Sequence, residues 1–203
     1  MNNTIIKAIK EWVLPIGTAI VLTLLINKFL IFKVKVPTGS MIPTINKNDQ
    51  LFVTRIYNYD KIKRGDILVF NSRELHENLI KRVIGLPGDS ISIAEGTVIV
   101  NGEVIDEDYV KNNSLNYEGT FKVPEDEYFF LGDNRSDSKD SRLWQEPYIN
   151  KEDIFGKALI KIYPFKDAHF ITVEAFLSFI KFSFITVAAW RRNGFIKFIR
   201  VLL

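Results

Sequence analysis

Hydrophobic positions follow two different regimes along the chain. Near the ends they run together, at 12–26 with a further apolar stretch at 29–32, and again at 169–190. Between them they come in short bursts separated by Gly, Pro, Asn and Asp, at 51–53, 67–70, 79–84, 128–131 and 158–162. Short apolar or alternating runs bounded by turn residues predict strands. Residues 97–105, with Asn101-Gly102 at the centre, predict a type I′ hairpin, because both central residues accept positive φ. Residues 106–127 are polar and read as a surface excursion. No repeat or low-complexity tract is visible. The expected class is mostly β: a compact antiparallel, partly barrel-like sheet assembly between an N-terminal apolar helix and a C-terminal apolar or amphipathic one.

The unbroken run 12–26 falls short of the roughly 20 residues that a spanning helix needs. Residues 29–32 complete that length beyond Asn27 and Lys28, and Lys28 can snorkel to the interface. A cleaved signal peptide is the competing reading, with Lys7 and Lys10 as its charged start. Phe32-Lys33-Val34-Lys35 is a poor cleavage sequence, so an uncleaved anchor is expected. Lysines flank the segment on both sides, and the positive-inside rule does not orient it. In the last apolar run, Glu174, Ser178 and Lys181 form one helical stripe, followed by Arg191, Arg192, Lys197 and Arg200 among apolar residues. An in-plane membrane helix, a second span and a helix packed on the sheet all fit. The chain divides into a short segment 1–11, an anchor 12–32, a β-rich domain 33–168 and a tail 169–203.

At 203 residues and 47% hydrophobic content, the chain can bury one real core. The net charge of +3 is unevenly placed. Residues 36–169 hold 17 basic and 22 acidic residues, so the excess basic charge flanks the apolar ends. That arrangement suits contact with anionic lipid and argues against a nucleic-acid groove. The absence of cysteine excludes disulfides and thiolate metal sites. There is no phosphate-binding loop and no cluster of His and carboxylate ligands, so neither metal nor nucleotide cofactor is expected.

Three segments carry candidate chemistry. Ser40 lies in Val36-Pro37-Thr38-Gly39-Ser40-Met41-Ile42-Pro43-Thr44, where Gly39 allows a sharp turn and two prolines stiffen its flanks. Lys81 interrupts an apolar strand, with Leu79 and Val83 on its own face and Arg82 on the other. An ammonium held there loses hydration, and its pKa falls from the free value of about 10.4. The third segment is Gly132-Asp133-Asn134-Arg135-Ser136-Asp137-Ser138-Lys139-Asp140-Ser141-Arg142. Taken singly, a turn serine, a snorkelling lysine and a solvated polar loop explain them. Taken together, they supply a fixed hydroxyl, an amine able to lose its proton, and charged pairs to brace both. His76 and His169 are the only histidines, and neither has the context of a catalytic triad. Ser178-Phe179-Ile180-Lys181 matches an S-x-x-K pattern but lacks the partner elements. Asn134-Arg135-Ser136 is read as a chance glycosylation sequon.

From about Val34 to Pro164, the order and wording of these blocks resemble the type I signal peptidases, membrane-anchored serine–lysine proteases of bacterial type. The resemblance implies Ser40 as nucleophile and Lys81 as general base and acid. It implies Thr38 as oxyanion donor beside the Ser40 amide, and Ser138 as the group that orients Lys81. Asp133, Arg82, Asp140 and Arg142 would be structural support. Val36, Pro37, Met41 and Ile80 would line shallow sites for small residues at −1 and −3, although Met41 and Ile80 fit the core equally well. Partners would be signal peptides of exported preproteins and the lipid bilayer, with secretion or pilus machinery nearby. The implied location is the plasma membrane, with 1–11 cytoplasmic and 33–168 extracytoplasmic, single-pass unless the tail also spans. Rival readings are a dedicated pilin or surface-protein peptidase, a self-cleaving repressor-type peptidase, and a catalytically idle assembly chaperone of the same fold.

Overall fold

The computed structural model describes residues 13–171. Helix α1, Leu14–Phe29, is followed after Leu30 alone by strand β1, Ile31–Lys35. Arg55 Nε donates to Lys28 O at 3.1 Å and Tyr57 Oη to Phe29 O at 2.5 Å, satisfying carbonyls that the helix end leaves open. Ile31 and Phe32 therefore pair in a sheet rather than completing an apolar span to residue 32. Among the described residues, no helix is long and apolar enough to cross a membrane.

The remaining strands are β2 (Gln50–Arg55), β3 (Ile67–Ser72), β4 (Glu77–Gly85), β5 (Ser90–Ala94), β6 (Thr97–Val100), β7 (Glu103–Val104), β8 (Gly119–Lys122), β9 (Glu127–Leu131), β10 (Tyr148–Asn150), β11 (Ile154–Tyr163) and β12 (His169–Phe170). The larger sheet runs β1-β2-β11-β3-β4-β9-β10, with β12 added beside β11, and the smaller runs β7-β6-β5-β8. Every pairing between these strands is antiparallel, and no described pairing closes either sheet into a barrel.

The predicted hairpin forms between β6 and β7, with Asn101 at φ 54° and Gly102 at φ 87°, as a type I′ turn requires. Two differences from the sequence reading stand out. Strand β8 falls inside the supposed surface excursion 106–127 and pairs with β5. His169 and Phe170, assigned to an apolar tail helix, form β12. In the 132–142 segment, Asp133, Asp140 and Ser141 are fully buried. The segment 1–11 and the tail beyond 171 lie outside the described residues.

Three apolar clusters hold the sheets. Phe70, Phe130 and Trp144 centre one, with Phe70 and Phe130 stacked at 4.3 Å. Val36, Met41, Ile45, Leu51 and Val69 belong to a second. The smaller sheet docks through the third, where Ile91, Ile93 and Val98 meet Ile84, Phe129 and Leu131 of the larger one. Strands β4 and β9 thus sit where the clusters converge, and the candidate site lies at their ends.

Candidate active site

The Ser40 turn is anchored at both feet. Val36 N donates to Asp49 O and Asn48 N to Val36 O, tying together the two sides of the loop. Met41 and Ile45 drop into the second cluster and hold its underside. Asp49, itself buried, pairs with buried Lys161 at 2.7 Å and accepts from Asn46 N. Ser40 is consequently 6% exposed, with its Oγ 3.4 Å from Thr38 Oγ1. Thr38 itself faces solvent.

The 132–142 segment lies directly against this turn. Asn134 N donates to Ser40 O at 3.0 Å, Asn134 Nδ2 to Gly39 O at 3.1 Å, and Thr44 Oγ1 to Asp133 Oδ2 at 2.5 Å. Gly132 makes the approach possible. A Cβ there would stand 2.5 Å from Ser40 O and would overlap Ser138 Oγ. Gly132 thus has both the Ser40 carbonyl and the Ser138 hydroxyl as immediate neighbours. Ser138 Oγ is buried, with no hydrogen-bond partner among the described residues. Asn134, in the apparent sequon, spends its side chain on Gly39.

Lys81 enters from β4, whose register with β9 pairs Val83 with Phe130 and Arg82 with Leu131. Lys81 and Gly132 each follow directly on the last pair of that register, Arg82 with Leu131. The amine is buried at 3% exposure, and its face neighbours Leu79 and Val83 pack in the first cluster. Burial lowers its pKa to about 8, while Asp140, Glu77 and Asp133 pull the other way and Arg142 assists the drop. At mildly alkaline pH a large fraction of this amine is neutral.

Two ion pairs fix the floor. Arg82 clasps Asp133 through Nε at 2.8 Å and Nη2 at 2.6 Å, and also donates to Gly65 O. Burial opposes the Arg82 charge, but the hydrogen bonds and charge of Asp133 outweigh it and hold its pKa above the ordinary value. Arg142 Nε and Nη2 grip Asp140 at 2.8 and 3.0 Å, and Asp140 in turn accepts from Gly132 N at 2.9 Å.

Among the anticipated substrate contacts, Pro37 is exposed and Ile80 half-buried. Val36 and Met41 are core residues here, Met41 with no exposed surface. The structure adds Gly132, Asn134 and Thr44, which side-chain chemistry alone did not single out. His76 lies in the turn between β3 and β4, and the His169 ring meets Asp167 O.

The family model described as signal peptidase, peptidase S26, matches residues 9–163. The chain belongs to that family. Signal peptidase I of Leptolyngbya laminosa is 38% identical over 163 residues, covering 76% of this chain and 79% of that protein. Probable signal peptidase I-2 of Synechocystis is 36% identical, over 78% and 75%. Signal peptidase I P of Bacillus subtilis subsp. natto is 39% identical, over 76% and 89%. A crystal structure of a signal peptidase I from Enterococcus faecalis V583 superposes at TM-score 0.42 with 33% identity, covering 46% of this chain and 93% of the other. The whole β-rich core up to Tyr163 thus lies within the matched stretch.

Proposed function

We propose that the chain is a membrane-bound serine endopeptidase that removes signal peptides from exported preproteins, cutting after small residues at −1 and −3. The observation that carries this reading is the meeting at Gly132 of the Ser40 carbonyl and the unpaired Ser138 hydroxyl, with the buried Lys81 next to the last β4–β9 pair.

In the neutral state, the Lys81 amine takes the Ser40 hydroxyl proton as Ser40 Oγ bonds to the scissile carbonyl carbon. Negative charge then gathers on the carbonyl oxygen, where the Ser40 N–H and the Thr38 hydroxyl stabilise it; one such donor is worth roughly 3–4 kcal/mol. The Lys81 ammonium returns its proton to the departing amine, the C–N bond breaks, and water later hydrolyses the acyl-enzyme by the same relay. Ser138 orients the amine. On the β9 side, residues 77–81 of β4 have no strand partner among the described strands. An extended preprotein segment adds to that edge, and its alternate side chains point toward Ile80 and Pro37. The domain works at the outer face of the plasma membrane, held by the N-terminal apolar segment, with lipid as its second partner.

Purified chain in detergent is expected to cleave a presubstrate bearing Ala-x-Ala, and Ser40→Ala and Lys81→Ala each to abolish cleavage. Cleavage surviving Lys81→Ala would remove the mechanism.

A further inference from the structure

The crossover between β7 and β8 lies on the surface, with none of its residues fully buried, yet it is tied to the 132–142 segment. Ser136 N donates to Asn112 O at 3.2 Å, Asn112 and Asn134 form a parallel bridge, and Tyr117 Oη donates to Arg142 O at 3.0 Å. Glu107 adds a charged hold. One carboxylate oxygen, Oε1, accepts from Arg135 Nη2 at 2.5 Å and from Tyr109 Oη at 2.7 Å.

Each partner leads to the site. Arg135, 4% exposed, donates through Nε to Gly132 O at 3.0 Å, and its own carbonyl accepts from Arg142 Nη2 at 2.8 Å. The Tyr109 ring faces the Arg82 guanidinium, whose carbon is 3.8 Å from the ring centre. Arg82 clasps Asp133, and Asp133 Oδ2 also receives the Thr44 hydroxyl. From Glu107, one branch ends on Gly132 and the other on the Ser40 turn.

We propose that Glu107 is a positioning residue for the Ser40–Lys81 centre, fixing where Gly132 stands and with it Ser138 and the Ser40 carbonyl. The proposal rests on the serine–lysine reading of the site. Glu107 touches no reacting atom; it acts through Arg135 and Tyr109. Removing the carboxylate leaves a buried guanidinium unpaired, which forces Arg135 to seek water and let go of Gly132. Buried pairs of this kind add little to stability compared with apolar packing. A displacement of about 1 Å at reacting groups, however, costs on the order of 100-fold in rate.

The test uses the full chain in detergent micelles, with steady-state cleavage of an Ala-x-Ala presubstrate and folded fraction followed by thermal melting. Glu107→Ala is expected to lower kcat per folded molecule about tenfold or more with KM within about twofold. Glu107→Gln should recover part of that rate, because its amide oxygen still accepts from both partners. The exposed Glu118→Ala, in the same crossover, should match wild type. Wild-type kcat in folded Glu107→Ala, or a raised KM at unchanged kcat, overturns the proposal. Should Glu107→Ala not fold, Tyr109→Phe decides. A loss of about threefold or more in kcat at constant KM supports the proposal, and wild-type kcat overturns it. Cleavage persisting in Ser40→Ala would sink the proteolytic reading and this proposal with it. Wild-type kcat in Glu107→Ala beside an inactive Ser40→Ala sinks the proposal alone.

Discussion

Lys81 is held against its own charge. Its pKa of about 8, against an ordinary 10.5, corresponds to about 3 kcal/mol of opposition to folding while the amine stays protonated. The unfolded chain keeps that proton more tightly. The penalty is therefore complete below about pH 8 and fades as pH rises toward 10.5. Cleavage should accordingly rise with pH through about 8. Lys81→Met, which keeps the volume, should be inactive yet more stable at pH 7 by up to about 3 kcal/mol, and should lose the rise in stability above pH 8. Urea midpoints measured across that range for both proteins check the sign. Gly132→Ala drives a methyl into Ser40 O and the Ser138 side chain; a rate loss of about 100-fold or more is expected in the same assay. The burial of Lys81 could be anticipated from its apolar neighbours Leu79 and Val83, but only the family resemblance singled it out over a snorkelling lysine. Gly132 and Asn134 could not be given their roles that way, because both meet the distant Ser40 turn, and Asn134 lies 95 residues from its partner Gly39. Met41 shows the limit of motif reasoning. Adjacent to Ser40, it serves as an anchor in the core.

At the scale of elements, strands announced by turn residues were legible, and the hairpin at Asn101-Gly102 was legible down to its backbone signs. Strand β1 was hidden because its apolar start is continuous with the preceding helix, so periodicity alone has no break to detect. Strand β8, four residues of mixed polarity, carries too short a pattern to stand out from its polar surroundings. The Asp49–Lys161 pair was equally invisible, since it joins the loop after Ser40 to the far end of β11. Both charges are buried, so Lys161→Met should cost about 3–5 kcal/mol by stranding Asp49, and a compensating Asp49→Asn should restore much of it. Chemical denaturation of the two single variants and the double variant measures that coupling.

For the whole molecule, the excess basic charge lies near the ends and the mildly acidic domain lies between them. An outward-facing domain makes a direct prediction, and the cysteine-free chain simplifies its test. Lys111→Cys, at an exposed position, should react with a membrane-impermeant maleimide added to intact cells. Labelling only after permeabilisation would reverse the proposed orientation. The joint between helix and sheet has a mechanical corollary. Only Leu30 separates α1 from β1, and Arg55 and Tyr57 rivet the helix end to the strand beside it. If the N-terminal apolar segment anchors the chain as proposed, a joint without slack would hold the Ser40 turn at one set height above the bilayer, as a caliper holds its jaws. Preproteins should be sorted by the span between their greasy stretch and the bond to be cut, so inserting residues into that span should spoil processing even when Ala-x-Ala is left intact.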